Sequence, residues 1–218
     1  METWEFIQRN WHELLGLAAH HAYFVSISLV IAICTGVPMG IWITFNRKAA
    51  EIVLYLAGIM MTIPSIALFG IMIPLLSIVG KGIGVVPAIV ALVLYSQLPI
   101  IRNTYAAIRS VDPSIIDAGI GMGMTRSQVL FKVQLPMALG VIFAGVRVAV
   151  VMCIGIGAIA AFIGAGGLGH YIFMGISQSY GAMTNAGSLA VAVMAIIADF
   201  VFGIFEKLLV SKGLRTEG

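Results

Sequence analysis

Residues 117–136, DAGIGMGMTRSQVLFKVQLP, interrupt a chain that is otherwise almost continuously apolar. The 218 residues are 61% hydrophobic and 10% charged, well below the roughly 25% charge of an ordinary soluble domain. On either side of the polar stretch no Asp, Glu, Lys or Arg lies between Glu51 and Lys81, between Lys81 and Arg102, or between Arg147 and Asp199. About 20 apolar residues are enough to cross a bilayer. These windows predict a polytopic membrane protein, and since they show no strand alternation, its spans are helices. The expected fold class is therefore all-α, with five transmembrane helices at about 22–44, 53–79, 84–101, 137–162 and 187–208. Pro64 and Pro74 interrupt the second window, which is too long for one perpendicular crossing and too short for two, so a kinked or tilted helix is expected there.

Lys and Arg set the orientation. Arg47, Lys48, Arg102, Arg109, Arg126, Lys132, Lys207, Lys212 and Arg215 fall on one side of these spans, and only Arg9 and Lys81 on the other. The basic side is cytoplasmic, which puts the N-terminus outside and a tail at 211–218 inside. The net charge of +3 reflects this bias, and no basic patch of the kind that binds nucleic acid is present. Early acids, Glu2, Glu5 and Glu13, argue against a cleaved signal peptide. Residues 1–21 instead place Trp4, Ile7, Trp11 and Leu14 at helical spacing, the mark of an interfacial amphipathic segment in contact with lipid. His20 and His21 are adjacent, poor spacing for metal ligands on one helix face, and read as interfacial and solvated. Cys34 and Cys153 lie inside predicted spans and read as small buried hydrophobes.

The opening stretch belongs to a cytoplasmic loop at 102–136, between the third and fourth spans. Asp112-Pro113 reads as an N-cap followed by proline at the first helical position, and Gly119, Gly121 and Gly123 supply stops. Thr125-Arg126-Ser127-Gln128 fits a capping box and opens a second short helix, which Leu135-Pro136 is expected to end. Two short helices hinged at glycine are predicted. Their apolar residues Ile115, Ile116, Val129, Leu130 and Val133 are too few to cross a membrane but enough to fill a groove in another protein. A membrane-surface connection is the competing local reading.

The spacing of this loop resembles the signature of binding-protein-dependent ABC importer permeases: E-A-A, three residues, G, nine residues, I-x-L-P. Asp117-Ala118-Gly119 stands for E-A-A, Gly123 for the glycine, Val133 for the isoleucine, and Leu135-Pro136 for the closing pair. Two positions depart from the pattern, Asp117 for glutamate and Gly119 for alanine. The resemblance implies a type I importer permease whose loop carries coupling helices that dock on a separate ATPase. It further implies two ATPase copies, a second permease chain, identical or paralogous, and an extracytoplasmic substrate-binding protein, all at a bacterial inner membrane. No cofactor is expected on this chain, ATP and Mg being bound by the ATPase. Residues 85–108, 121–124, 135–147 and 162–173 are similar to osmoprotectant permeases, a branch that imports glycine betaine, choline, carnitine and related quaternary amines. A methionine-type importer is the alternative within the class.

Other classes are weighed on their residues. Gly80-Lys81 lacks the upstream glycine of a P-loop. Gly164, Gly166 and Gly169 make a literal G-x-G-x-x-G, but the motif ends an apolar span, with no βαβ context, so Gly164, Gly166, Gly167 and Gly169 read as an extracytoplasmic turn. No Ser-His or metal constellation marks an enzyme. A secondary transporter is expected to show an internal repeat, and none is evident; a channel subunit would not need the full loop spacing. Arg147 and Asp199 are the opposite charges placed deep in spans, about 16 Å and 12 Å from the cytoplasmic ends at 1.5 Å per residue. They read as an intramembrane pair or as groups lining the pathway.

Overall fold

The computed structural model describes residues 2–209, and the tail at 211–218, with Lys212 and Arg215, lies outside the described residues. Among the described residues nine α-helices follow in order: α1 Glu2–Trp42, α2 Arg47–Thr62, α3 Ser65–Ser77, α4 Val85–Arg109, α5 Pro113–Gly121, α6 Arg126–Val129, α7 Leu135–Ile159, α8 Gly169–Ser177 and α9 Gly181–Leu209. No strand occurs among the described residues. Among the described residues four helical stretches are long and apolar enough to cross a membrane, and the bent pair α2–α3 makes a fifth if it is one span.

The amphipathic segment and the first span are not separate pieces. α1 runs unbroken through residue 21 and bends instead at Asn10 (φ −115°, ψ 18°). There the side-chain amide donates to the Phe6 carbonyl at 2.9 Å, a local bond that competes with the helical ladder. The first turns pack inward: Phe6 meets Tyr171 and Tyr180 edge-on at 5.4 and 5.6 Å. Trp4, Ile7 and Leu14 line an apolar groove shared with α9.

Proline explains the break in the second window, at Pro64 rather than Pro74, which sits inside α3. The residue before a proline is pushed out of the helical region, and Ile63 is extended (φ −70°, ψ 124°). The axes of α2 and α3 consequently meet at 100°. The orphaned Ile63 carbonyl accepts the Tyr95 hydroxyl of α4, which satisfies a backbone group that lipid could not.

α4 is the central helix, packed against α1 on one side and α7 on the other. Lipid gives helices no hydrophobic reason to associate, so contact must come from close packing over small residues. A Cβ on Gly40 of α1 would lie 2.6 Å from Thr104 Cβ, and one on Gly145 of α7 would lie 2.6 Å from Asn103 Cβ. Around these approaches Phe24, Leu29, Leu92, Ile100, Val146 and Val150 form the core. Cys153 is buried there with its sulfur 2.9 Å from Ser96 Oγ, whereas Cys34 is exposed, contrary to its reading as a buried residue.

Candidate functional site: the α4–α7 connection and the intramembrane charges

Asp112 caps α5 by accepting the Ser114 N–H at 2.8 Å, with Pro113 in the first turn. Backbone and side-chain hydrogen bonds from Ser114 hold its carboxyl below the usual carboxylate range. The helix ends in a Schellman arrangement: the Met124 N–H reaches the Gly119 carbonyl at 3.1 Å and the Gly123 N–H reaches Ile120 at 2.9 Å. That geometry needs a left-handed residue, and Gly123 has φ +85°. The capping box then opens α6, with Thr125 Oγ1 accepting from the Gln128 N–H and Gln128 Oε1 from the Thr125 N–H.

Gly119 is the one buried residue of α5. Its added Cβ would lie 3.3 Å from Val129 Cγ2 and 3.4 Å from Met124 Sδ, so the departure from alanine falls where α5 rests on α6. Asp117 and Ala118 are exposed on the other side. Two sequence expectations need correction. Leu135-Pro136 does not end the second helix: a π turn at Leu130–Gln134 carries it into α7, with the Leu135 N–H bonded to the Leu130 carbonyl. Widening the ladder to i→i+5 accommodates the proline ring. A single helical rod of 38 residues runs from Arg126 to Ile163. In addition, Val129 and Leu130 do not face outward; Leu130 packs inward with Ala107, Ile108, Ala138 and Ile142, and Val133 and Leu135 are half-buried. The apolar groups left exposed are Ile115, Ile120, Met122 and Phe131.

Arg147, on the same rod, meets Asp199 of α9 as a two-pronged pair: Nε to Oδ1 at 2.6 Å and a terminal nitrogen to Oδ2 at 2.7 Å. Sequence reasoning missed a second partner of Arg147. Arg147 donates to Glu206 Oε2 at 3.2 Å. The signal was in the spacing, since Asp199, Gly203 and Glu206 share one helical face. Arg147 lies across the bare Cα of Gly203, where a Cβ would sit 3.3 Å from the guanidinium carbon.

The α7–α8 turn holds Gly164, Gly166 and Gly167 in the left-handed region, at φ +80°, +73° and +72°. At Gly169 a Cβ would fall 1.8 Å from the Ala158 carbonyl oxygen. A helix and a 3-10 turn precede the motif, so the strand that a dinucleotide site requires is absent from it. His21 corrects another expectation. It is fully buried, its Nδ1 accepting the Leu168 N–H at 3.3 Å and its Nε2 lying 3.1 Å from the Ile154 carbonyl. One neutral tautomer, with the proton on Nε2, satisfies both bonds. Sequence spacing held only a weak hint, that His21 shares a helix face with Phe24, Val25 and Ser28, also buried. No group of three His, Cys, Asp or Glu side chains among the described residues is placed to hold a metal.

A bundle of apolar helices with one bent span and a capped, glycine-hinged connection continuous with another span defines a polytopic membrane protein. The chain belongs to the family of binding-protein-dependent transport system inner membrane components, whose model matches residues 36–212. It is 47% identical to the osmoprotectant import permease protein OsmW of Salmonella typhimurium, over 99% of this chain and all of that one. It is 40% identical to the glycine betaine/carnitine/choline permease protein OpuCB of Bacillus subtilis, over 96% and 94% of the two chains. Among solved structures, an inward-facing form of the MetNI methionine ABC transporter matches at a TM-score of 0.80 and 25% identity, covering 91% of this chain and 96% of that one.

Proposed function

We propose that this chain is the permease subunit of an ATP-driven importer for quaternary-amine osmoprotectants such as glycine betaine, choline or carnitine. The carrying observation is near-complete coverage at 47% and 40% identity to permeases named for that cargo. The methionine transporter shares the architecture at 25% identity, which supports the fold and not the cargo. The chain forms half of the pathway. A second permease chain, identical or paralogous, supplies the other half, and a binding protein delivers the solute near Lys81 and the turn at Gly164, Gly166, Gly167 and Gly169.

Two ATPase subunits, which bind the ATP and Mg, dock on residues 112–135 from the cytoplasm. Asp117, Ala118, Gly119, Gly123, Val133, Leu135 and Pro136 set the shape of that handle, and exposed Ile120, Met122 and Phe131 are available to enter an apolar groove. Because α6 is continuous with α7, a displacement of α5 and α6 is carried directly to the level of Arg147. The test is uptake of radiolabelled choline and glycine betaine by proteoliposomes holding the complex with its cognate ATPase, second permease and binding protein. ATP-dependent uptake of either is expected; methionine uptake with neither would overturn the cargo.

Orientation has its own test. In a chain lacking Cys34 and Cys153, Thr3→Cys is expected to react with an impermeant thiol reagent in intact cells, and Thr216→Cys only after permeabilisation. The reverse pattern would remove the α4–α7 connection from the ATPase side.

A further inference from the structure

The most apolar stretch of α9 has no residue buried within the chain, and two of its faces differ in composition. Leu189, Val193, Ile197 and Val201 make one face, large, apolar and suited to lipid. Asn185, Ser188, Ala192, Ile196, Asp199, Gly203 and Glu206 make the other, recurring every three or four residues along the helix and polar or small except at the exposed Ile196. That second face adjoins the outward side of α7. Between them lies a groove of about 610 Å³ whose walls include Ala144, Val148, Val151 and Met152, with the charge cluster at its base.

The cluster is not covered by its own chain: the side chains of Arg147, Asp199 and Glu206 are 36%, 44% and 28% exposed. Charges at this depth do not face hydrocarbon; they face water or protein. One guanidinium against two carboxylates leaves a formal charge of −1 on the three groups. Arg147 occupies both oxygens of Asp199 but only Oε2 of Glu206. A quaternary ammonium has no N–H to donate, so a site can hold it only through opposite charge and contact with its methyl groups. A groove with a net negative base and valine and methionine walls offers both.

We infer that this face of α7 and α9 lines the water-filled pathway, and that the Arg147–Asp199–Glu206 cluster is a site for a cationic quaternary-ammonium solute, with Glu206 supplying the unneutralised charge. The inference rests on reading the chain as half of an importer pathway. Its occupant is the solute in water, and a permease partner packed over the groove is the competing arrangement.

Thiol labelling of the assembled complex in proteoliposomes separates these. With Cys34 and Cys153 replaced by Ala, Val148→Cys places a thiol in the groove, and Ile197→Cys places one on the lipid face at similar depth. The probes are trimethylammonioethyl methanethiosulfonate and its anionic sulfonatoethyl counterpart. Val148→Cys is expected to react with the cationic probe about tenfold faster than with the anionic one, the size of effect one nearby unit charge gives in water. Ile197→Cys is expected to react slowly with both. Adding Glu206→Gln, which keeps an oxygen to accept from Arg147, is expected to bring the Val148→Cys rates together, and choline is expected to slow the cationic reaction. Equally slow labelling at both positions would show the groove covered by lipid or protein and overturn the inference. So would fast labelling whose charge preference is absent or survives Glu206→Gln. A Glu206-dependent preference in a complex that imports no quaternary amine would uphold the site and overturn the cargo instead.

Discussion

Arg147→Ala is expected to reduce the amount of folded permease in the membrane several-fold, the range in which lost stability is read out as abundance in cells. The substitution strands two carboxylates, Asp199 and Glu206, within a span and removes both ion pairs that Arg147 makes from α7 to α9. Breaking a charge pair by deleting one partner is the costly route, because the other charge remains. Arg147→Lys is expected to fall between, since a lysine cannot reproduce the two-pronged contact with Asp199. A direct swap, Arg147→Asp with Asp199→Arg, is the sharper test. Glu206 makes its outcome specific, because a carboxylate placed at position 147 faces Glu206. The double variant is therefore expected to recover only part of the wild-type level, and adding Glu206→Gln to recover more. Abundance by immunoblot and recovery of the complex on a size-exclusion column are the measurements. Normal assembly of Arg147→Ala would show that the pair does not hold the helices together.

Gly123→Val is expected to uncouple transport while the complex still assembles. An added Cβ at Gly123 meets nothing within 4 Å, so crowding is not the issue. The backbone is: at φ +85° an L side chain costs about 1–2 kcal/mol. Relieving that strain means opening the Schellman end and changing the angle between α5 and α6. A shift of that size changes the population of the native hinge by about 5- to 30-fold. Solute uptake is expected to drop by a comparable factor, with ATP hydrolysis in detergent retained and its stimulation by binding protein lost. Gly123→Asn, which tolerates the left-handed region better, is expected to keep most of the uptake. Wild-type uptake by Gly123→Val would remove the hinge from the proposed coupling.

Much of this was legible along the chain because it is local. Composition and the long apolar windows without strand alternation dictated helices in a membrane, since an unpaired backbone has no partner in lipid. The N-cap at Asp112, the capping box at Thr125–Gln128 and the glycine stop at Gly123 are contacts among residues at most five apart, and each is present as read. Similar depth left Arg147 and Asp199 readable as a pair or as groups lining the pathway, because opposite charges within spans have few other partners; the contact itself is seen only in the structure.

What only the tertiary structure decided depends on neighbours remote in sequence. His21 looked solvated beside His20, yet its partners are the Ile154 carbonyl and the Leu168 N–H, groups no helical pattern brings near residue 21. Val129 and Leu130 looked available, but the end of α4 and the start of α7 cover Leu130, and Val129 is buried where Gly119 of α5 rests on α6. Pro136 looked like a stop, and a π turn absorbed it. The bend at Pro64 rather than Pro74 was settled partly from α4, where the Tyr95 hydroxyl takes the carbonyl that the broken ladder leaves. Sequence periodicity determines which face of a helix is polar; only packing determines what that face meets, because burial is set by the surfaces of all the helices at once.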